Sequence, residues 1–154
     1  MTQVTPNQSV LLVEDNNEDY ETTKRAFRKA GLRNNLHRCK DGDEALDYLH
    51  RRGKYGDPEI SPRPGIILLD LNLLATDGRQ VLRNIKTDKR LRTIPVIVLT
   101  TSEDERDIQM CYENGANSYM HKPLDLAGFF AAIQQLKDYW FKVMILPKEG
   151  ESPP

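Results

Sequence analysis

Long apolar runs are missing from this chain. The longest are four or five residues, such as Val10–Val13, whereas a helix that spans a bilayer needs about 20, so no membrane segment is expected. Charge of one sign is not in excess either. Lys and Arg number 22 against 23 Asp and Glu, and a pI near 6.3 gives no electrostatic reason to expect nucleic-acid binding. Cysteine is scarce. Cys39 and Cys111 lack zinc-ligand or redox-motif spacing, and two isolated thiols fit a reducing, cytoplasmic setting. Met1 to Ser9 contains no lysine or arginine, so it does not read as a secretory signal. No Gly-x-Gly-x-x-Gly turn follows the first apolar run and no Gly-x-x-x-x-Gly-Lys-Ser/Thr occurs, which removes the dinucleotide-binding and P-loop readings.

What is present is an alternation. Ser9–Val13, Leu36–Lys40, Gly65–Leu69, Val96–Leu99 and Asn117–His121 read as strands. Val10–Val13 and Ile66–Leu69 are continuous apolar runs of the kind buried on both faces of a parallel sheet. Between them lie segments with helical spacing. Asn16 or Asn17 can cap the first, with acids early and Lys24, Arg25, Arg28 and Lys29 late, which complements a helix macrodipole. Ser102, with Glu105 three residues on, predicts a capping box for a helix over 103–114. Residues 53–64 hold Gly53, Gly56, Pro58, Pro62 and Pro64, and read as a long surface connection. Strand–helix alternation over 154 residues predicts one α/β domain, a doubly wound five-stranded parallel sheet with helices on both faces. The expected limits are 1–8 as a flexible lead, 9–146 as the domain and 147–154 as a tail.

Parallel strands bring their carboxyl ends to one edge, where ligands bind in open α/β sheets. That edge collects Glu14 and Asp15, Asp70, Thr100 and Lys122. Singly, each has an ordinary structural role: acids cap helices, threonines end strands, lysines sit in solvent. Together they form a chemical set. Three clustered carboxylates repel unless a cation is near, and Mg²⁺ takes oxygen ligands while keeping several waters. A carboxylate nucleophile beside a cation, a lysine and a hydroxyl donor is suited to accepting a phosphoryl group.

The acidic pair Glu14-Asp15 after Val-Leu-Leu-Val, Asp70 in Leu-Leu-Asp-Leu-Asn-Leu, Asp77-Gly78, Pro95 to Thr100, and Gly115-Ala116 before Lys122-Pro123 together resemble a response-regulator receiver domain over roughly residues 9–141. The resemblance implies a flavodoxin-like strand order 2-1-3-4-5. It implies Asp70 as phosphoacceptor, with Thr100 and Lys122 contacting the phosphoryl group. Mg²⁺ would be held by Asp15, Asp70 and the backbone carbonyl of Asn72, with Glu14 assisting. It further implies Thr100 and Tyr119 as a switch pair, a cis Lys122–Pro123 bond, and slow self-phosphorylation and self-dephosphorylation rather than enzymatic turnover. Leu74 stands where many members have proline, which implies a looser loop after Asp70.

Residues 53–64 and the Trp140-Phe141…Leu146-Pro147 end resemble stand-alone receivers paired with cyanobacterial phytochromes, which implies a light-regulated histidine kinase as donor. Too little chain follows Phe141 for an output domain, so signalling is expected through binding an unidentified downstream protein. Trp140, Phe141, Met144, Ile145 and Leu146 crowd more apolar surface into one segment than a single helix face buries. They are the expected surface of a homodimer or a kinase contact, the alternative being that the segment folds back over its own domain. Two rivals differ in class. A haloacid-dehalogenase-type phosphatase needs a second acid two residues after its nucleophile, where this chain has Asn72. A phosphorylation-independent, receiver-like interaction module normally lacks one of the site residues, and none is missing.

Overall fold

The computed structural model describes residues 8–123 and 125–141. Its elements run β1 (Val10–Val13), α1 (Asn17–Lys29), β2 (Leu36–Cys39), α2 (Gly42–His50), β3 (Ile66–Leu69), α3 (Gly78–Thr87), β4 (Val96–Thr100), α4 (Glu105–Glu113), β5 (Ser118–His121) and α5 (Leu126–Leu136), followed by a π-helical turn, Lys137–Phe141. The strands pair in parallel in the order β2-β1-β3-β4-β5, as the resemblance implied.

Period-two alternation divides the central strands between two cores. Leu11, Val13, Ile67, Leu69, Val96 and Val98 face one side, against Ala45 and Leu49 of α2, Val81, Leu82 and Ile85 of α3, and Cys111 of α4. Val10, Leu12, Ile66, Leu68, Ile97 and Leu99 face the other, against Ala26 and Phe27 of α1 and Phe129, Ile133 and Leu136 of α5. Both faces of the middle strands are therefore covered, which is why their sequences read as apolar runs rather than as alternation. The sheet order reverses between β1 and β3, and ligands of open α/β sheets bind at such a point.

Three expectations change. Trp140 is not on an exposed patch. It is 6% exposed and joins the second core, because Phe129, Ile133, Leu136 and Trp140 recur at helical spacing on one stripe that the π-helical turn continues. The Phe141 side chain, Met144, Ile145 and Leu146 lie outside the described residues. The fourth helix begins at Glu105, not 103, with Asp104 as its N-cap, whose carboxylate accepts from the Arg106 amide. Ser102 is drawn away from the cap, its hydroxyl donating to Asp107 Oδ2 at 2.7 Å and accepting from the Asp104 amide. No peptide bond among the described residues is cis, Lys122–Pro123 included. The two isomers of a prolyl bond differ by only about 0.5–1 kcal/mol, so the surroundings choose.

The 53–64 connection is fastened rather than loose. It opens with a 3₁₀ turn, Gly53–Tyr55. The buried Tyr48 of α2 donates its hydroxyl to the Pro62 carbonyl at 2.8 Å, and Arg63 reaches the Arg90 carbonyl and the Thr93 hydroxyl between α3 and β4. Proline and glycine set the irregular path, and these bonds hold it.

Candidate functional site

β1, β3, β4 and β5 each end where they deliver a polar group to one edge. The Glu14 amide donates to the Cys39 carbonyl and the Asp70 amide to the Val13 carbonyl, so the residues after β1 and β3 are fixed side by side by extension of the strand ladders. The Lys122 amide likewise donates to the Thr100 carbonyl at 2.8 Å. Gly78 allows the chain after Asp70 to fold back. A Cβ there would lie inside contact distance of the Asp70 carbonyl and 2.6 Å from the Leu71 Cα, so only glycine fits.

The loop around Leu74, expected to be looser for want of proline, is tied to α2. The Gly42 amide donates to the Leu74 carbonyl at 3.2 Å, and the Thr76 amide and hydroxyl both donate to Asp43 at the start of α2. Missing proline is offset by ties to α2.

Glu14, Asp15 and Asp70 each present a carboxylate oxygen, and these atoms lie within 4.8 Å of one another. The Lys122 ammonium sits among the acids. It donates to Glu14, to Asp70 Oδ2 at 3.0 Å and to Asp19 Oδ2 at 3.0 Å. Glu14, Asp70 and Lys122 are 2%, 8% and 5% exposed. Burial pushes the Glu14 carboxyl up to about 7, even against the pull of Lys122. For Lys122, burial acts to lower the pKa, but the charges of Asp70 and Glu14 outweigh it and hold the ammonium above its ordinary range. The lysine is therefore charged throughout neutral pH, while buried Glu14 beside it still resists ionisation. A carboxylate-only donor set, clustered this closely and partly open through Asp15, matches a hard divalent cation such as Mg²⁺ or Mn²⁺.

The other expected residues fall around this centre. Thr100 is fully buried at the end of β4, its Oγ1 accepting from the Ser102 amide. Asn72 follows Asp70 on the same loop, its amide donating to Asp70 Oδ1 at 3.2 Å. Tyr119 on β5 is half-buried against the first core, with its hydroxyl donating to the Ser102 carbonyl at 2.8 Å. Asp19 is the residue that sequence reasoning missed. It reads as one more first-turn acid of α1, yet that helix starts at the site edge and Asp19 accepts from the Lys122 ammonium. Its contact is with Lys122, far away in sequence, so no local spacing signalled it. His37, His50 and His121 stand apart from the acid cluster, His50 beside Asp88 and His121 beside Glu103. His37 stacks on Tyr48 instead, with ring centroids 4.5 Å apart. Both cysteines are buried, and burial pushes the Cys111 thiol up to about 11, so neither is poised as a nucleophile.

Residues 10–134 match the response regulator receiver domain family. The response regulator Rcp1 of Synechocystis is 39% identical over 142 residues, covering 92% of this chain and 95% of that protein. "Probable methanogenesis regulatory protein FilR2" of Methanothrix harundinacea is 43% identical over 131 residues, covering 85% of this chain and 82% of that protein. Among solved structures, the phosphorylated cyanobacterial phytochrome response regulator RcpA superposes with a TM-score of 0.87 at 37% identity, covering 92% of this chain and 99% of that one. Rcp1 has itself been solved in a Mn²⁺-bound form, with a TM-score of 0.84 at 38% identity and the same coverage of 92% and 99%. Receivers of this family take up and lose a phosphoryl group slowly on their own account and do not act as true catalytic enzymes. Among the described residues no helix is long and apolar enough to cross a membrane. With its five parallel strands in receiver order and its acidic, lysine-bridged edge, the chain belongs to the response-regulator receiver domain family.

Proposed function

We propose that this protein is a response regulator whose Asp70 accepts a phosphoryl group from a histidine kinase. The observation that carries this reading is the Lys122 ammonium reaching Glu14 and Asp70 together, with Asp15 in the same cluster. In the transfer, an Asp70 carboxylate oxygen attacks phosphorus, a new P–O bond forms, and the P–N bond to the donor imidazole breaks with its electron pair leaving on nitrogen. Lys122 holds Asp70 oriented and offsets charge on the transferring oxygens, and Thr100 donates a hydrogen bond to one of them. Glu14, Asp15, Asp70 and the Asn72 carbonyl would hold Mg²⁺, which supplies further charge neutralisation at those oxygens. Tyr119 reads out the change at Thr100 and passes it to the surface of α4, β5 and α5.

The functional unit is residues 9–146, working in the cytoplasm. A phytochrome-type kinase as donor is supported by the likeness to RcpA and Rcp1. FilR2, named for methanogenesis regulation, supports a second reading in which the kinase senses something other than light. Parallel phosphotransfer from a purified phytochrome kinase and from an unrelated one separates the two. A homodimer is the proposed assembly, with Phe141, Met144, Ile145 and Leu146 as its candidate contacts. Light scattering that gives a monomer with and without a phosphoryl mimic overturns it. The phosphoacceptor itself is tested by phosphorylating the protein, reducing the acyl phosphate with borohydride and mapping peptides. Homoserine at position 70 is expected, and homoserine elsewhere refutes the assignment.

A further inference from the structure

A second polar network, outside the acid cluster, joins α3 to α4. Arg79 presents its guanidinium edge to Asp107, Nε to Oδ1 at 2.8 Å and Nη2 to Oδ2 at 2.8 Å, while Nη1 reaches both oxygens of Asp77 at 3.1 Å. The Arg79 and Asp107 side chains are only 26% and 19% exposed. Such planar, two-point pairs are geometrically specific, unlike a loose surface contact. Their hydrogen bond holds the Asp107 carboxyl below the usual carboxylate range and raises the guanidinium further, so the pair stays ionised.

The position of the pair gives it more than a packing role. Asp77 caps α3 at the end of the loop that leaves Asp70. On the other side, Asp107 Oδ2 accepts from the Ser102 hydroxyl at 2.7 Å. Ser102 in turn reaches both switch residues, through its amide to Thr100 Oγ1 and through its carbonyl to the Tyr119 hydroxyl at 2.8 Å. One continuous set of contacts therefore runs from the loop after Asp70, through Arg79 and Asp107, to Thr100 and Tyr119.

We propose that the Arg79–Asp107 pair is a latch that fixes the β4–α4 loop with Tyr119 held inward on the Ser102 carbonyl. Arg79 and Asp107 are positioning residues, since neither touches Asp70. An arrangement that favours the inward tyrosine also favours the phosphorylated state, because the two are linked through Thr100. Losing the latch then slows phosphorylation without removing any group from the acid cluster. That second half rests on the phosphoacceptor reading of Asp70, whereas the link to Tyr119 does not.

The test uses full-length protein labelled with 3-fluorotyrosine, the Tyr119 signal being assigned by Tyr119→Phe. In Asp107→Asn and Arg79→Gln, checked for folding by circular dichroism, the Tyr119 fluorine resonance is expected to move towards its solvent-exposed value. The Tyr55 resonance is expected to stay fixed. Phosphorylation by acetyl phosphate with Mg²⁺ is expected to slow several-fold in both, with Arg79→Lys in between. A Tyr119 resonance unmoved in the folded variants overturns the latch, and a moved resonance with wild-type phosphorylation kinetics overturns its link to phosphorylation. If the wild type takes up no phosphoryl group, the phosphoacceptor reading fails, and the fluorine resonance alone still decides whether the latch holds Tyr119.

Discussion

Lys122→Met is the perturbation that most strains the proposed balance of charge. It removes the only ammonium found donating to Glu14 and Asp70 among the described residues while keeping the length of an apolar stem. Breaking a buried ion pair from one side typically costs about 3–5 kcal/mol, because the remaining charge is left uncompensated. For a domain of this size each kcal/mol moves the melting temperature by about 2–4 °C, so a fall of roughly 6–20 °C is expected in the presence of a chelator. Protonation limits the damage, and this gives the loss a pH signature. Burial already pushes Glu14 up to about 7 with the lysine in place, and without it the carboxyl rises further. A carboxyl whose folded pKa lies above its unfolded value stabilises the fold only while protonated, and that stability is lost as pH rises towards the folded pKa. The deficit of the variant should therefore widen from about pH 6 to about pH 8, by up to about 1.4 kcal/mol per unit. Mg²⁺ should narrow it, since the ion replaces the missing positive charge. Thermal melts of both proteins at each pH, with chelator or Mg²⁺, decide the matter. A fall below about 2 °C at the higher pH, or a deficit that shrinks as pH rises, would refute the charge balance described for this edge.

Other consequences follow from packing. Gly78→Ala should destabilise by at least about 2 kcal/mol in denaturant titration, because its Cβ meets fixed backbone at Asp70 and Leu71 rather than a movable side chain. Trp140→Ala should cost about 3–5 kcal/mol, and the native indole, the only one in the chain, should emit at short wavelength until unfolding. A native spectrum typical of exposed tryptophan would contradict its burial in the second core. Tyr48→Phe should cost about 1–2 kcal/mol by leaving the Pro62 carbonyl without its donor. It should also raise proteolysis within residues 53–64, and unchanged cleavage there would show that the tie is not what holds the connection.

The strands and the edge they form were legible because burial on both faces writes itself directly into sequence as apolar runs, and each run is followed by its polar group. Glu14, Asp15, Asp70 and Thr100 follow from that rule, while Lys122 comes after β5, an edge strand without an apolar run, and was placed by the strand–helix alternation. What escaped depended on competition or on distance. Ser102 and Asp104 are both good caps, and only the folded loop decides between them. Trp140 belongs to the α5 stripe, but the apolar residues beside it in sequence masked that periodicity. Asp19, and the pairing of Arg79 with Asp107, arise from side chains meeting across elements that no local pattern relates. Lys122 shows the same limit from the other side. Its position was legible, but its simultaneous contact with three acids was not.

The most direct measurement is the intact mass of the protein after incubation with a small phosphodonor. With Mg²⁺ the wild type should gain one phosphoryl group, and it should gain none with a chelator in place of the ion. Asp70→Asn should gain none under either condition. A wild type that stays unmodified with Mg²⁺, or an Asp70→Asn variant that gains the same mass, would contradict the account of Asp70 as the centre of this site.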